Sequence, residues 1–213
     1  MASSMPSSSP KTKTPDGGAS PALPQGVGCV IMASGLARRF GANKLMADFG
    51  GEPLISRILH ATQGLFARRI VITRHADVAA LCKAYGAACV LHNLPHRNDT
   101  IRLGIEQMEG LRACMFCPSD QPLLTRETIS ALVQHAAQEP DAIWRAAHGA
   151  DAGLPAVFPQ WAFPLLCSLP EGKGGGYVIR QYEEKVRTVQ VKSALELADV
   201  DYPEDLAALK SYI

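Results

Sequence analysis

The chain has 213 residues, 47% of them hydrophobic and 19% charged, and 21 Lys and Arg against 20 Asp and Glu give a formal net charge of +1. That length suits one domain with its own core, with room for an elaborated edge, better than two full domains. The charge balance excludes a basic nucleic-acid coat and a polybasic membrane patch, and no apolar run approaches the ~20 residues that a membrane span needs.

Residues 1–26 (MASSMPSSSPKTKTPDGGASPALPQG) are dominated by Ser, Pro, Thr and Gly and show no apolar periodicity. Such a stretch cannot repay its ordering entropy, so it is expected to be a disordered tail, with the domain running over 27–213. Its five prolines oppose the amphipathic helix of a transit peptide. From there the pattern alternates. Residues 28–34 (GCVIMAS) form a continuous apolar run, the mark of a strand buried on both faces. Residues 35–53 are a Gly-rich polar loop, 54–65 have helical spacing, and 69–73 (RIVIT) read as a strand. A helix over 77–85 should close at Gly86, followed by a short strand at 88–91 and a helix over 99–108. Residues 112–117 (RACMFC) read as a strand and 125–138 as a helix with Thr125 as N-cap and Glu127 in the first turn. Strands at 141–147, 155–158 and 186–191 and helices near 160–167, 174–182 and 203–212 complete the chain.

Strands alternating with helices of this length predict βαβ units and an α/β fold with a mostly parallel sheet. In such sheets ligands sit at the carboxyl ends of strands. The segments to read chemically are therefore 34–44, 118–122, 148–155 and 199–205.

The first, from Ser34 to Lys44, carries Gly35, Arg38, Arg39, Gly41 and Lys44 after a buried strand. Glycines let backbone N–H groups approach a ligand, Arg supplies a fork for phosphate oxygens and Lys a point charge. The loop is neither a Walker A loop nor a dinucleotide fingerprint, so its spacing alone suits a polyphosphate or a basic surface turn. The second, Pro118-Ser119-Asp120-Gln121-Pro122, places a carboxylate where one or two acids could hold Mg²⁺ while phosphates and water complete the octahedron. A capping Asp in a helix-opening turn is the alternative. In the third, Asp199-Val200-Asp201-Tyr202-Pro203-Glu204-Asp205, the first two acids share a side of an extended chain. Taken alone, N-capping of the last helix by Asp201 is the better reading. The fourth, Gly153-Leu154-Pro155, could line a pocket with backbone.

The six cysteines lie in apolar segments and read as reduced core thiols of a cytoplasmic protein. Cys114 and Cys117 sit three apart on a strand and so face opposite ways, which suits neither zinc nor redox chemistry. His92 and His96 straddle Pro95, so no helix brings them to one face. The run Gly172-Lys173-Gly174-Gly175-Gly176 is either a flexible loop or a turn over a second substrate.

The order GVGCVIMASGLARRFGANKL, PSDQPLLTRETI, GLPAVF and DVDYPEDLAAL resembles the MobA-like NTP transferases, and among them the molybdenum cofactor cytidylyltransferases, which show LAAGxSxRFGxxK, GDQP, GxP and DxDTPEDL in that order. The resemblance spans 28–209. It implies a Rossmann-like, three-layer α/β/α nucleotidyltransferase fold of the nucleotide-diphospho-sugar transferase type. It implies transfer of a nucleoside monophosphate, CMP from CTP ahead of GMP from GTP, to the terminal phosphate of molybdopterin, with Mg²⁺ as cofactor and pyrophosphate released. By the same resemblance Ala33, Ser34, Gly35, Arg39, Gly41 and Lys44 hold the nucleotide, and Arg39, Lys44 and Asp120 are catalytic. Asp120 and Asp201 hold the metal, and Gly153 and Pro155 lie at the base or acceptor. The product's recipient would be a molybdoenzyme or its chaperone; neither nucleic acid nor membrane is an expected partner. The chain departs from the pattern at Ser34, at Ala37 in place of a serine, at Ser119 in place of a glycine and at Tyr202 in place of a threonine. The same transfer to another acceptor, such as a sugar phosphate, and a module that binds without turnover remain alternatives.

Overall fold

The fold, taken from a computed structural model that describes residues 26–37 and 39–213, is organised around the first strand. The expected tail, apart from Gly26, and Arg38 of the glycine-rich loop lie outside the described residues. In β1 (Val27–Ala33) the side chains of Val27, Cys29, Ile31 and Ala33 enter one apolar cluster and Val30 enters another. That period of two places a core on each face of the strand. Parallel partners flank it: β2 (Arg68–Thr73) on one side, with β3 (Ala88–Leu91) beyond, and β4 (Ala113–Pro118) on the other. Then come β6 (Asp151–Pro159), β5 (Ile143–His148) and β7 (Val186–Gln190), giving the order β3-β2-β1-β4-β6-β5-β7. Only β6 runs antiparallel, against both β4 and β5, and β7 is again parallel to β5. The sheet is thus mostly parallel, as the alternation predicts.

Helices cover both faces. α1 (Ser56–Ala61), α2 (Ala76–Ala84), α4 (Arg126–Gln138) and α7 (Pro203–Lys210) bury Ile58, Val78, Cys82, Ile129, Leu132 and Leu209 in the first cluster. α3 (Arg97–Glu106), α5 (Phe163–Cys167) and α6 (Gly176–Gln181) bury Ile101, Ile105, Leu166 and Val178 in the second. Each such side chain contributes on the order of 1.5–3 kcal/mol of transfer free energy. α3 lies directly on β1: a Cβ at Gly104 would sit 2.7 Å from the Val30 side chain. The layers are therefore α/β/α.

Thr125 caps α4 as expected, its side chain accepting from the Thr128 N–H, and Gly86 closes the turn after α2 at φ +60°. The strand expected at 155–158 is longer, beginning at Asp151 and returning beside β5 through Gly149 at φ +61°. Asp151 and Gly153 hide that start, because neither extends the apolar pattern. Cys114 and Cys117 fall in opposite clusters, and all six cysteines are free thiols. Among the described residues no helix is long and apolar enough to cross a membrane.

β2 and β4 leave β1 in opposite directions, so the strand order reverses at β1. The carboxyl ends of β1 and β4 therefore open the crevice in which this class of sheet binds ligands.

Candidate active site

A cavity of about 620 Å³ occupies that crevice. From the loop after β1 it is lined by Ser34, Gly35, Arg39 and Lys44, from the end of β4 by Asp120, and from the segment before α7 by Asp199 and Asp201. Gly153 reaches it from β6. Ala33, Gly41 and Pro155 do not line it. Ala33 is buried in β1, Gly41 bends the loop at φ +78°, and Pro155, joined to Leu154 by a cis bond, packs within β6.

Lys44 is the centre of the arrangement. The loop seats it by local means: the Asn43 side chain caps a short 3-10 turn (Lys44–Met46) and donates to Asp77 of α2 at 2.9 Å, while Leu45 is buried beside it. Lys44 itself is only 8% exposed. Its ammonium donates to Asp120 Oδ2 at 2.7 Å, to the Val200 carbonyl, and to Asp201 Oδ1 at 3.4 Å. A buried ammonium has three protons to place, and here each has an acceptor. Arg39 closes the outer side, donating to Asp201 Oδ2 at 2.6 Å and stacking over the Tyr202 ring at 5.1 Å.

The backbone holds the acids in register. The Val200 N–H donates to the Asp120 carbonyl at 2.9 Å, so the 199–201 segment is sewn to the end of β4. Gln121 donates to Asp199 Oδ1 at 3.0 Å and to the Leu197 carbonyl at 3.2 Å. Ser119 donates to the Met32 carbonyl at 2.7 Å, joining the ends of β4 and β1. Partial burial, then the negative charge of Asp120, pushes the Asp199 carboxyl above its ordinary range. Three acids thus face one lysine and one exposed arginine. Among the described residues no cluster of three or more His, Cys, Asp or Glu forms a closed metal cage. Hard carboxylate oxygens too few to surround a cation suit Mg²⁺ or Mn²⁺ shared with phosphate oxygens and water. Lys44 already brings a positive charge to the place between Asp120 and Asp201.

Helix capping, the alternative for Asp201, falls to another residue. Asp205 Oδ2 accepts from the Asp201 N–H at 2.9 Å and the Tyr202 N–H at 2.8 Å, with Pro203 opening α7. The Asp201 carboxylate is left to Lys44 and Arg39.

Sequence reasoning passed over the wall residues Arg74 and Arg97 and set His96 aside. Arg74, His96, Arg97 and Thr100 line the cavity from the ends of β2 and the start of α3. His92 lies behind Ser34, its Nε2 2.8 Å from Ser34 Oγ. Because the Leu94 N–H donates to His92 Nδ1 at 3.2 Å, the proton sits on Nε2, which donates to Ser34, and Ser34 donates onward to the Ile72 carbonyl at 3.1 Å. Burial, then the Arg74 charge, holds the His92 imidazole below its ordinary range, against a smaller opposing pull from Asp99. No spacing rule joins His92 to Ser34, which are 58 residues apart and meet over the end of β2 from the ends of β3 and β1.

The sequence profile of the MobA-like NTP transferase domain matches residues 29–186. A protein described as a probable molybdenum cofactor guanylyltransferase of Bacillus cereus is 26% identical over 118 residues, 54% of this chain and 58% of that one. A 3-deoxy-manno-octulosonate cytidylyltransferase of Neisseria meningitidis is 30% identical over 95 residues, 40% of this chain and 36% of that one. The chain therefore spans 58% of the length of the guanylyltransferase and 36% of that of the cytidylyltransferase. Among solved structures, a Mycobacterium tuberculosis protein crystallised with manganese superimposes with a TM-score of 0.74 at 19% identity, covering 89% of this chain and 100% of that one. Molybdopterin-guanine dinucleotide biosynthesis protein A of Archaeoglobus fulgidus does so with a TM-score of 0.68 at 18% identity, covering 87% and 97%. At these identities the likeness shows a shared nucleotidyltransferase fold.

Proposed function

The chain belongs to the MobA-like NTP transferases, and from that premise we propose that it transfers a nucleoside monophosphate, CMP from CTP, to the terminal phosphate of a molybdopterin-type acceptor. The observation that carries the transfer is the meeting of Asp120 and Asp201 on the buried Lys44 ammonium, with Asp199 beside them in the cavity lining. Arg39, Arg74 and Arg97 on its walls suit a polyphosphate. Support for CTP comes from Ser34, which stands nearer the cytidylyltransferase pattern, and from cytidylyltransferases among the relatives. Guanylyltransferases among them favour GTP as the second reading.

An oxygen of the acceptor phosphate forms a bond to the α-phosphorus, and the bond from that phosphorus to the bridging oxygen breaks, the electron pair leaving with pyrophosphate. The attacking phosphate is already anionic near neutral pH, so the chain needs no general base. Its work is positioning and charge. Arg39 and the loop at Gly35 hold the leaving pyrophosphate, while Lys44 offsets charge gathering at the α-phosphate. Asp120 and Asp201 would hold a divalent cation, which when bound neutralises phosphate oxygens. Asp199 and Gln121 keep those two acids in place.

Calorimetric titration of CTP, GTP, ATP and UTP, with and without Mg²⁺, tests this reading on the wild type and on Asp120→Ala. Mg²⁺-dependent binding selective for CTP and lost in the variant is the expected result. Selective binding of GTP moves the proposal to GMP transfer, and no nucleotide binding in the wild type overturns it.

A further inference from the structure

Ser34, Gly35 and Ala37 line the nucleotide cavity from the loop after β1. Packing does little to fix this loop. A Cβ at Gly35 would meet nothing within 4 Å, and Ala37 is held at φ +46°, a left-handed backbone that residues with a Cβ rarely adopt. Three successive residues are tied instead from the ends of β2 and β3. The Thr73 hydroxyl donates to the Ala33 carbonyl, His92 Nε2–H donates to Ser34 Oγ, and His75 Nε2 meets the Gly35 carbonyl, each at 2.8 Å. Thr73 is the common base of the ties. It is fully buried, its hydroxyl accepts from the His75 N–H at 3.1 Å, and its carbonyl accepts from the His92 N–H at 3.0 Å. A carbonyl only accepts, so His75 donates to Gly35 as imidazole and imidazolium alike. His92 differs. Its neutral ring accepts from the Leu94 N–H at Nδ1, whereas an imidazolium carries two N–H groups and accepts nothing, so the ring must turn from its seat. Burial, then Arg74 just past β2, opposes that protonation, and Asp99 of α3 favours it. His92 does not itself line the cavity, so it reaches a ligand only through Ser34.

We propose that His92 is a positioning residue for the nucleotide: as a neutral imidazole it fixes Ser34 and Gly35 in the shape that receives the phosphates, and as an imidazolium it releases them. Nucleotide affinity is thereby tied to pH through a side chain that touches no nucleotide. This rests on the transferase reading. The sign is diagnostic. A new positive charge behind the loop strengthens the hold on a polyphosphate if charge alone counts, whereas loss of the loop's shape weakens it.

The test is calorimetric titration of the full chain with Mg²⁺ and CTP or GTP, from about pH 7.5 down to about 5.5. It compares the wild type with His92→Gln, which can still donate an N–H toward Ser34 but does not titrate, and with His92→Phe and Ser34→Ala, which break the tie. Contributions common to all four proteins, the nucleotide's own phosphates and the other histidines among them, divide out in the ratio of affinities. Near neutral pH, His92→Gln should bind as the wild type does, and His92→Phe and Ser34→Ala about fivefold more weakly, on the order of one hydrogen bond. The two losses should not add in the double variant. As pH falls below the ordinary imidazole value of 6.5, the wild type should lose about fivefold relative to His92→Gln. Ser34→Ala removes only a hydroxyl and carries the test if His92→Phe does not fold. A ratio of wild type to His92→Gln that stays flat or rises toward acid overturns the inference, and so does additivity in the double variant. A His92→Phe protein that melts earlier yet binds nucleotide normally gives the ring a structural role only and also overturns it. In all three cases nucleotide binding by the wild type keeps the transferase reading, whereas no binding at any pH overturns both.

Discussion

Removing the Asp201 carboxylate should separate chemistry from folding, because the cap of α7 belongs to Asp205. Asp201→Ala takes one acceptor from Lys44 and the partner of an exposed Arg39, leaving the Asp120 and Val200 acceptors in place. Its stability should change by about 1 kcal/mol or less, while turnover falls at least a hundredfold, on the order of one lost charge-stabilising contact in a transition state. Asp205→Ala should show the opposite pattern, losing about 1 kcal/mol of stability with the cap and much less turnover. Thermal unfolding and pyrophosphate release on the two variants check the pair. His92 supplies a pH prediction. Its imidazole is held below its ordinary pKa of 6.5, so the unfolded chain binds the proton more tightly than the folded one. This residue's contribution is therefore intact above pH 6.5 and is lost as pH falls below it. Protonation would also put a second N–H on Nδ1, facing the Leu94 N–H. Arg74 opposes that charge and Asp99 favours it. Denaturant midpoints at mildly acidic and neutral pH should converge less for the wild type than for His92→Phe, in which this slope is gone.

At the scale of elements, the site depends on how two helices are seated. Glu196, buried at 5% exposure, accepts from Thr125 Oγ1 at 2.7 Å and Thr128 Oγ1 at 2.6 Å at the start of α4, and from the Lys192 N–H at 3.2 Å. Burial pushes its carboxyl up, but the hydrogen bonds from Thr128 and Thr125 outweigh burial and hold it below the ordinary range. It fastens α4 to the segment that carries Asp199 and Asp201. Glu196→Ala takes a carboxylate acceptor from the buried Thr128 hydroxyl and the half-buried Thr125 hydroxyl and should cost about 2–4 kcal/mol, with loss of metal-dependent nucleotide binding as the acids drift; unfolding and calorimetry together read this. Gly104→Ala drives a Cβ into Val30 at 2.7 Å, so α3 must move. Overpacking of this kind costs about 1–3 kcal/mol, against a helix-propensity gain of about 1 kcal/mol. Because α3 begins at Arg97, nucleotide affinity should fall with the melting temperature.

For the whole molecule, the buried thiols make a simple prediction. Cys29, Cys82, Cys114 and Cys117 are fully buried and Cys89 and Cys167 partly so. Burial pushes the Cys82 thiol up to about 12 and also raises Cys89, Cys114 and Cys167, although hydrogen bonding to Cys29 is the larger cause at Cys117. A thiol reagent at neutral pH should react slowly with at most two sites in the native protein and with all six in denaturant. A reductant should leave the melting temperature unchanged. The parallel half of the fold was legible because β1 and β4 are apolar runs and β2 holds one at 70–72, and the elements around Ser34, Lys44, Asp120 and Asp201 follow from strand ends. The antiparallel β6 was half-hidden by Asp151 and Gly153. The contact of His92 with Ser34 was invisible, since it depends on β2 lying between β1 and β3, and no local pattern encodes that adjacency.

The Lys44 contacts have a further consequence for how the protein comes into being. Its ammonium is matched by acids and a carbonyl that follow it by 76, 156 and 157 residues. On the ribosome, the first four strands can pair long before Val200 and Asp201 leave the exit tunnel. Until then the lysine has Asp120 alone, and the nucleotide crevice stands open on one side. The strands around β1 can thus pair well ahead of the Lys44 site, which closes only once residues 200 and 201 have emerged.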